Sequence, residues 1–141
     1  MIKIKAFHGL YFPTIALYQE FIDTKRTDPR VRMRALELGL LVHSLNKQLR
    51  ITGIGRTEKK NIEIYGHDRQ SGHREMPSRA IDFSGGEIGD ETITTLQNHF
   101  TMFLDDGKYY SLIYHNAGFG RHLHLQVPHR DYNNILWKKP I

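Results

Sequence analysis

Two histidines, His122 and His124, are separated by one residue in a strand-like stretch near the C-terminus. About forty residues earlier, Ser71-Gly72-His73 is followed by Asp82. Two histidines and an aspartate are a usual set of protein ligands for a catalytic zinc that keeps one position open for water. These two clusters therefore favour a metal-dependent hydrolase.

The spacing within each cluster places its polar side chains on one face of a strand, because side chains alternate between faces. In the stretch 122–127, His122, His124 and Gln126 alternate with apolar residues that would face the core. Asp82 likewise stands between two apolar residues. A His-x-His pair alone is a weak signal, but the aspartate nine residues after His73 strengthens it. We expect the two imidazoles and the carboxylate to be neighbours across one sheet.

The remaining pattern predicts the elements that position these residues. Helices are expected at roughly 13–24, at 29–50 after Asp28-Pro29, and from a cap at Asp90 to a stop at Asp105-Asp106-Gly107. Strands are expected at 51–56, 80–84, 109–115 and 122–127, the last two forming a hairpin. This order predicts one α+β domain over residues 1–141, with a small, mainly antiparallel sheet. We expect helices on one side of the sheet and the zinc site on its open face.

Composition narrows the classes of function. The 141 residues include no cysteine, so a metal must use nitrogen and oxygen ligands, and thiolate zinc fingers are excluded. The net charge of +5 suits an anionic partner such as a cell-wall polymer. The basic residues are spread along the chain without a recognition motif, which disfavours nucleic acid.

No stretch of the sequence has the length of a transmembrane helix, and residues 6–18 do not form a secretory signal. We therefore expect the protein to be cytoplasmic as synthesised. We also expect it to be a monomer. If its substrate is the cell wall, it would act after release or by a route without a signal peptide.

The two clusters, together with Gly53-Ile54-Gly55-Arg56-Thr57, resemble the zinc D,D-carboxypeptidases, D-alanyl-D-alanine dipeptidases and phage L-alanyl-D-glutamate endopeptidases. These murein peptidases share a fold with the lysostaphin-type endopeptidases, and the resemblance spans about residues 29–127. It implies that zinc is bound by His73, Asp82 and His124. It also implies that Arg56 faces the substrate, and we expect Ser71 to bind substrate as well.

The resemblance leaves the general base open. The carboxypeptidase-like branch has a carboxylate three residues before the last zinc histidine, where this chain has Arg121. We expect His122 to be the catalytic residue that orients water and exchanges its proton. His115, on the facing strand, is expected to assist or to bind substrate, and Glu75 and Glu87 are the next candidates.

Arg56 is expected to bind a substrate carboxylate or a developing oxyanion, because its planar fork suits such groups better than lysine does. A surface ion pair is the alternative for this arginine.

The expected activity is hydrolysis of an amide bond in the peptidoglycan stem peptide, which contains D-residues, as phage endolysins perform. The alternative is a non-catalytic phage structural or wall-binding module with a degenerate metal site. Two departures from the family pattern favour that alternative. Arg121 stands where a carboxylate is usual, and the spacing from His73 to Asp82 is two residues longer than in the family.

Overall fold

A six-stranded sheet in the order β1-β2-β3-β4-β8-β7 forms the centre of the protein. The structure is a computed structural model that describes residues 4–7, 9–56, 58–66, 71–84, 88–104, 107–116 and 120–128. The strands are β1 Ile4–Phe7, β2 Leu10–Phe12, β3 Leu49–Gly53, β4 Ala80–Ser84, β5 Thr101–Leu104, β6 Gly107–Tyr110, β7 Leu112–Asn116 and β8 Arg121–Gln126. Within the large sheet, the β2–β3 pair is parallel and the other neighbours are antiparallel. Strands β5 and β6 form a separate hairpin.

Three of the four described helices pack on one side of this sheet. The four are α1 Ile15–Ile22, α2 Pro29–Ser44, α3 Glu58–Tyr65 and α4 Asp90–Phe100. Helices α1, α2 and α4 contact its strands, and their buried residues join the apolar residues of β3, β4 and β8 in one core cluster. The predicted α+β class, with a mainly antiparallel sheet and helices on one side, is confirmed.

A close approach between the β1–β2 turn and α2 requires a glycine in the turn. Gly9 has a φ of +80°, and a Cβ built on it would lie 1.8 Å from the carbonyl oxygen of Gly39. Glycine is thus required at position 9 both for the left-handed backbone and for the space.

The predicted helix 29–50 was too long, since α2 ends at Ser44. Asn46 turns the chain with a φ of 58°, a conformation that asparagine tolerates better than most residues. Leu49 continues the helical spacing but also alternates with Ile51, and it enters β3, where both are fully buried. The predicted strand 51–56 therefore begins and ends earlier.

The third predicted helix was also too long. It ends at Phe100, and Phe103 lies in β5. Position 89, rather than Asp90, is the cap, and Asp90 is the first helical residue. The predicted strand 109–115 is interrupted at Ser111, whose hydroxyl donates to the Phe100 carbonyl, so that β6 and β7 belong to different sheets.

Candidate metal centre

Strands β4 and β8 bring the two sequence clusters together in register. Asp82 is paired with His124, and His122 is paired with Ser84 on one side and with His115 of β7 on the other. The residues that alternate with them in β4 and β8 (Ile81, Phe83, Leu123 and Leu125) are fully buried in the core. The predicted alternation is confirmed, and the polar side chains lie on the face opposite the core helices.

His73 reaches this face from a short 3₁₀ turn, Gly72–Arg74, that covers the end of β8. Main-chain hydrogen bonds hold the turn, from Arg56 N to the His73 carbonyl (2.7 Å) and from Arg79 N to the Gly72 carbonyl (3.0 Å). A Cβ on Gly72 would lie 2.6 Å from Gln126 Oε1, so the turn packs directly on β8. The predicted open face is therefore covered at this point, and His73, Asp82 and His124 are only 2%, 4% and 5% exposed.

The three side chains direct one atom each to a common point. His73 Nε2 lies 3.1 Å from Asp82 Oδ1 and 3.3 Å from His124 Nδ1, and His124 Nδ1 lies 2.9 Å from Asp82 Oδ1. Zinc–nitrogen and zinc–oxygen bonds of about 2.1 Å at tetrahedral angles require ligand atoms to be roughly 3.4 Å apart. The observed separations are within 0.5 Å of that value, so the three groups fit one small metal ion.

The outer nitrogen of each histidine faces a protein acceptor. His73 Nδ1 donates to the Ile54 carbonyl oxygen, which can only accept, so the neutral ring carries its proton there and Nε2 has a lone pair. His124 Nε2 lies 3.0 Å from Gln126 Oε1, an arrangement that places its proton on Nε2 and a lone pair on Nδ1. Two lone pairs and a carboxylate oxygen thus face one another, which is unfavourable unless a cation lies between them.

Burial and mutual attraction set the charge state of this cluster. Burial lowers the pKa of His73, against the attraction of Asp82, which favours the neutral ring. Burial alone would raise the pKa of Asp82, but without a cation His73 and His124 can carry a proton on the nitrogen that faces Oδ1, and the resulting attraction and hydrogen bonds outweigh burial and hold this pKa well below its usual value. With the Asp82 carboxylate ionised and His73 neutral, the cluster offers a negative charge and an imidazole lone pair, as a zinc site requires.

Arg56, expected to face the substrate, is paired with the carboxylate of the cluster. Its Nη2 donates to Asp82 Oδ2 at 2.9 Å, and its side chain is 14% exposed. Asp82 thereby directs Oδ2 to the guanidinium and Oδ1 to the two histidines. The ion pair considered as an alternative is present, but it lies in the site rather than on the surface.

His122 and His115 lie beside the three-residue cluster. His122 Nδ1 is 3.4 Å from the Gly120 carbonyl oxygen, and its Nε2 is 3.6 Å from Asp82 Oδ1. Its side chain is 17% exposed, which is more than that of His73 or His124. The His115 ring lies 4.6 Å from the His122 ring and 5.5 Å from the His124 ring, measured between centroids. Both residues border the cluster, His122 beside Asp82 and His115 beside the rings of His122 and His124.

The other residues singled out in the sequence have distinct positions. Ser71 Oγ is buried and has no hydrogen-bond partner within the described part of the chain, beside the turn that carries His73. Arg121 shares the face of Leu123 and lies over the Tyr114 ring, 5.4 Å from its centroid, so it points away from the cluster. Glu75 is paired with Arg79. Glu87 lies outside the described residues.

Three groups that orient the cluster were missed in the sequence. Gln126 was predicted on the same face as His122 and His124, but no role followed from that position. It accepts from His124, and its amide nitrogen lies 3.3 Å from the hydroxyl of Tyr109. The Ile54 carbonyl carries no side-chain signal at all. The alternation His-x-His-x-Gln was the sequence feature that could have indicated that Gln126 orients His124.

Comparisons with protein-family models, with curated proteins and with solved structures find no match for this chain. Its function is therefore proposed from the geometry of the site. Among the described helices, none combines the length and apolar character needed to cross a membrane.

Replacing Gln126 by leucine is expected to weaken zinc binding by about 10–100-fold, because His124 loses the acceptor that fixes its tautomer. Zinc affinity would be measured by competition with a chromogenic chelator. Gln97→Leu is the matched control, since the Gln97 side chain lies on α4 and bonds the Leu112 carbonyl instead. Equal affinities for the two variants would contradict the role given to Gln126.

Arg56→Lys is expected to lower zinc affinity about tenfold, since lysine lacks the planar fork that holds Asp82 Oδ2. Arg30→Lys alters another arginine–aspartate pair, with Asp28, and serves as the control. Unchanged zinc affinity with slower turnover of a substrate would instead assign Arg56 to substrate binding.

The metal-free protein is expected to lose stability as the pH falls below about 6.5, the usual pKa of histidine. His73 has a lowered pKa when folded, so below this pH the unfolded chain binds more protons than the folded chain. The lowered pKa of Asp82 contributes stability that is lost only at much lower pH. Urea unfolding in chelator at pH 8 and pH 5.5 would measure this loss, which should be smaller in His73→Gln.

Proposed function

We propose that the protein is a zinc-dependent peptidase that hydrolyses an amide bond in the D-residue-containing stem peptide of peptidoglycan. The observation that carries the proposal is the convergence of three acceptors on one point, with His122 at its edge. His73, Asp82 and His124 would hold the ion. A bound zinc ion supplies Lewis acidity, which polarises an amide carbonyl and acidifies water.

The chain's own residues supply the remaining chemistry. His122, whose Nε2 lies 3.6 Å from Asp82 Oδ1, would accept a proton from the attacking water and return it to the leaving amine. His115 packs against the His122 ring and restricts its orientation. Arg56 compensates the Asp82 charge and fixes its second oxygen. No carboxylate base is needed in this scheme, which is consistent with Arg121 pointing away from the site.

The resemblance to murein peptidases, rather than the geometry, names the substrate class. A net charge of +5 suits an anionic wall polymer. Nucleic acid is a weaker candidate because the four arginines between residues 26 and 34 are engaged within the protein. Arg26 pairs with Glu20, Arg30 with Asp28 and Arg34 with Glu37, and Arg32 donates to two α1 carbonyls.

A second candidate function is that of a non-catalytic module with a structural metal. His122 Nε2 lies 3.6 Å from Asp82 Oδ1, close enough for a small movement to make it a fourth ligand. Four protein ligands would leave no position for water.

The test is digestion of purified peptidoglycan by the zinc-loaded protein, with the released fragments identified by mass. We expect fragments that carry one new amino and one new carboxyl terminus at a stem-peptide bond. His124→Ala is the inactive control, and chelator should abolish the activity. Stoichiometric zinc without any released fragment would support the non-catalytic module instead.

A further inference from the structure

His115 and His122 form a second group of metal-binding atoms beside the cluster of His73, Asp82 and His124, which we call the primary site. They are directly opposed across β7 and β8, with ring centroids 4.6 Å apart and ring planes inclined by 53°. One ligand atom from each, together with one from His124, lie within 4.8 Å of one another. We propose that these two histidines bind a second divalent cation of the zinc or copper type, and that its binding inhibits the enzyme.

His124 belongs to both groups of atoms, but one nitrogen lone pair cannot bind two ions. Its Nδ1 faces Asp82 and its Nε2 faces Gln126, so both nitrogens are engaged when the primary site is formed. The second ion is therefore held by the imidazoles of His115 and His122, with water completing its coordination. Imidazole is a ligand that zinc, copper and nickel accept readily.

The second site binds more weakly than the primary site. It has two neutral ligands in place of two histidines and a carboxylate, and the nearby guanidinium of Arg56 and the first ion both repel a cation. We expect its affinity to be at least ~10²-fold lower, so that the two ions bind in separate steps.

The second ion inhibits hydrolysis because it binds His122, and this inhibition rests on the proposed function. His122 needs its Nε2 lone pair to accept a proton, and a bound cation takes that lone pair. Hydrolysis is then highest with one zinc per chain and falls as the second site fills.

The experiment is a zinc titration of the full chain by calorimetry, with the bound ions counted by native mass spectrometry. We expect two ions per chain at high zinc, in two steps, without any substitution. His115→Gln should retain the first step and weaken the second by at least ~10-fold, since one of two ligands is lost. His43→Gln, which removes an exposed histidine of α2, is the control for binding to the surface.

A single ion per chain at millimolar zinc overturns the inference, as does a second step that is unchanged in His115→Gln. If His115→Gln fails to fold, the stoichiometry of the native chain and the effect of His122→Gln decide the matter. Peptidoglycan hydrolysis that is insensitive to excess zinc would overturn the inhibition and leave the proposed function standing. Two zinc ions without any hydrolysis would instead refute the proposed function and retain the second site.

Discussion

His122→Ala is expected to keep one zinc per chain and to lose hydrolysis by ~10²–10⁴-fold, the usual cost of a lost general acid–base. The three atoms of the primary site lie within 3.3 Å of one another, whereas His122 Nε2 is 3.6 Å from Asp82 Oδ1. Three protein ligands suffice for a catalytic zinc. Zinc content by atomic emission and peptidoglycan hydrolysis by fragment release would be measured on the same preparation.

The two ways in which this result can fail have different meanings. If His122→Ala loses its zinc, His122 is a ligand and the centre is structural. If it keeps both zinc and full activity, the base lies elsewhere, and Glu87 becomes the next residue to test because Glu75 is paired with Arg79. His99→Ala, which removes an exposed histidine paired with Glu37, is the control for the loss of a histidine as such.

The alternation of apolar and polar residues was sufficient to predict which face of the sheet carries His122, His124 and Asp82. In β8, the apolar residues must face the core, so His122 and His124 had to share the other face. The same argument oriented Asp82 in β4. It could not show that these strands are neighbours, since pairing between distant strands depends on the whole sheet.

The placement of His73 and Arg56 depended on irregular backbone, which leaves no periodic signal. The turn that carries His73 is held by main-chain hydrogen bonds to residues 56 and 79. A side chain's type does not reveal such bonds. Arg56 was therefore assigned to the substrate or to the surface, although its partner is Asp82.

The end of α2 was predicted wrongly because Leu49 fits both the helical periodicity and the alternation of a strand. Leu49 extends the apolar face of α2 and also begins the alternation of β3. Pairing with β2 decided between the two, because Leu49 N donates to the Gly9 carbonyl at 2.7 Å. Such a choice is made by tertiary contacts that local sequence does not contain.

Removing zinc is expected to lower the melting temperature by roughly 10 °C relative to protein with free zinc at about a thousand times its dissociation constant, because binding then contributes about 4 kcal/mol. Without a cation, these three buried groups keep only the hydrogen bonds that one or two ring protons can make among them. Scanning calorimetry with zinc and with chelator would measure the shift.

In the same experiment, variants of the two histidines of β8 show whether the zinc-dependent shift in melting temperature depends on the primary site. His124→Ala should lose most of the zinc-dependent shift, since it removes a ligand that Gln126 orients. His122→Ala should retain most of that shift, because its loss leaves the three ligands of the primary site in place. A zinc-dependent shift that persists in His124→Ala and in His73→Ala would mean that the ion is bound elsewhere. The convergence of these side chains would then be a hydrogen-bonded feature of the fold rather than a metal centre.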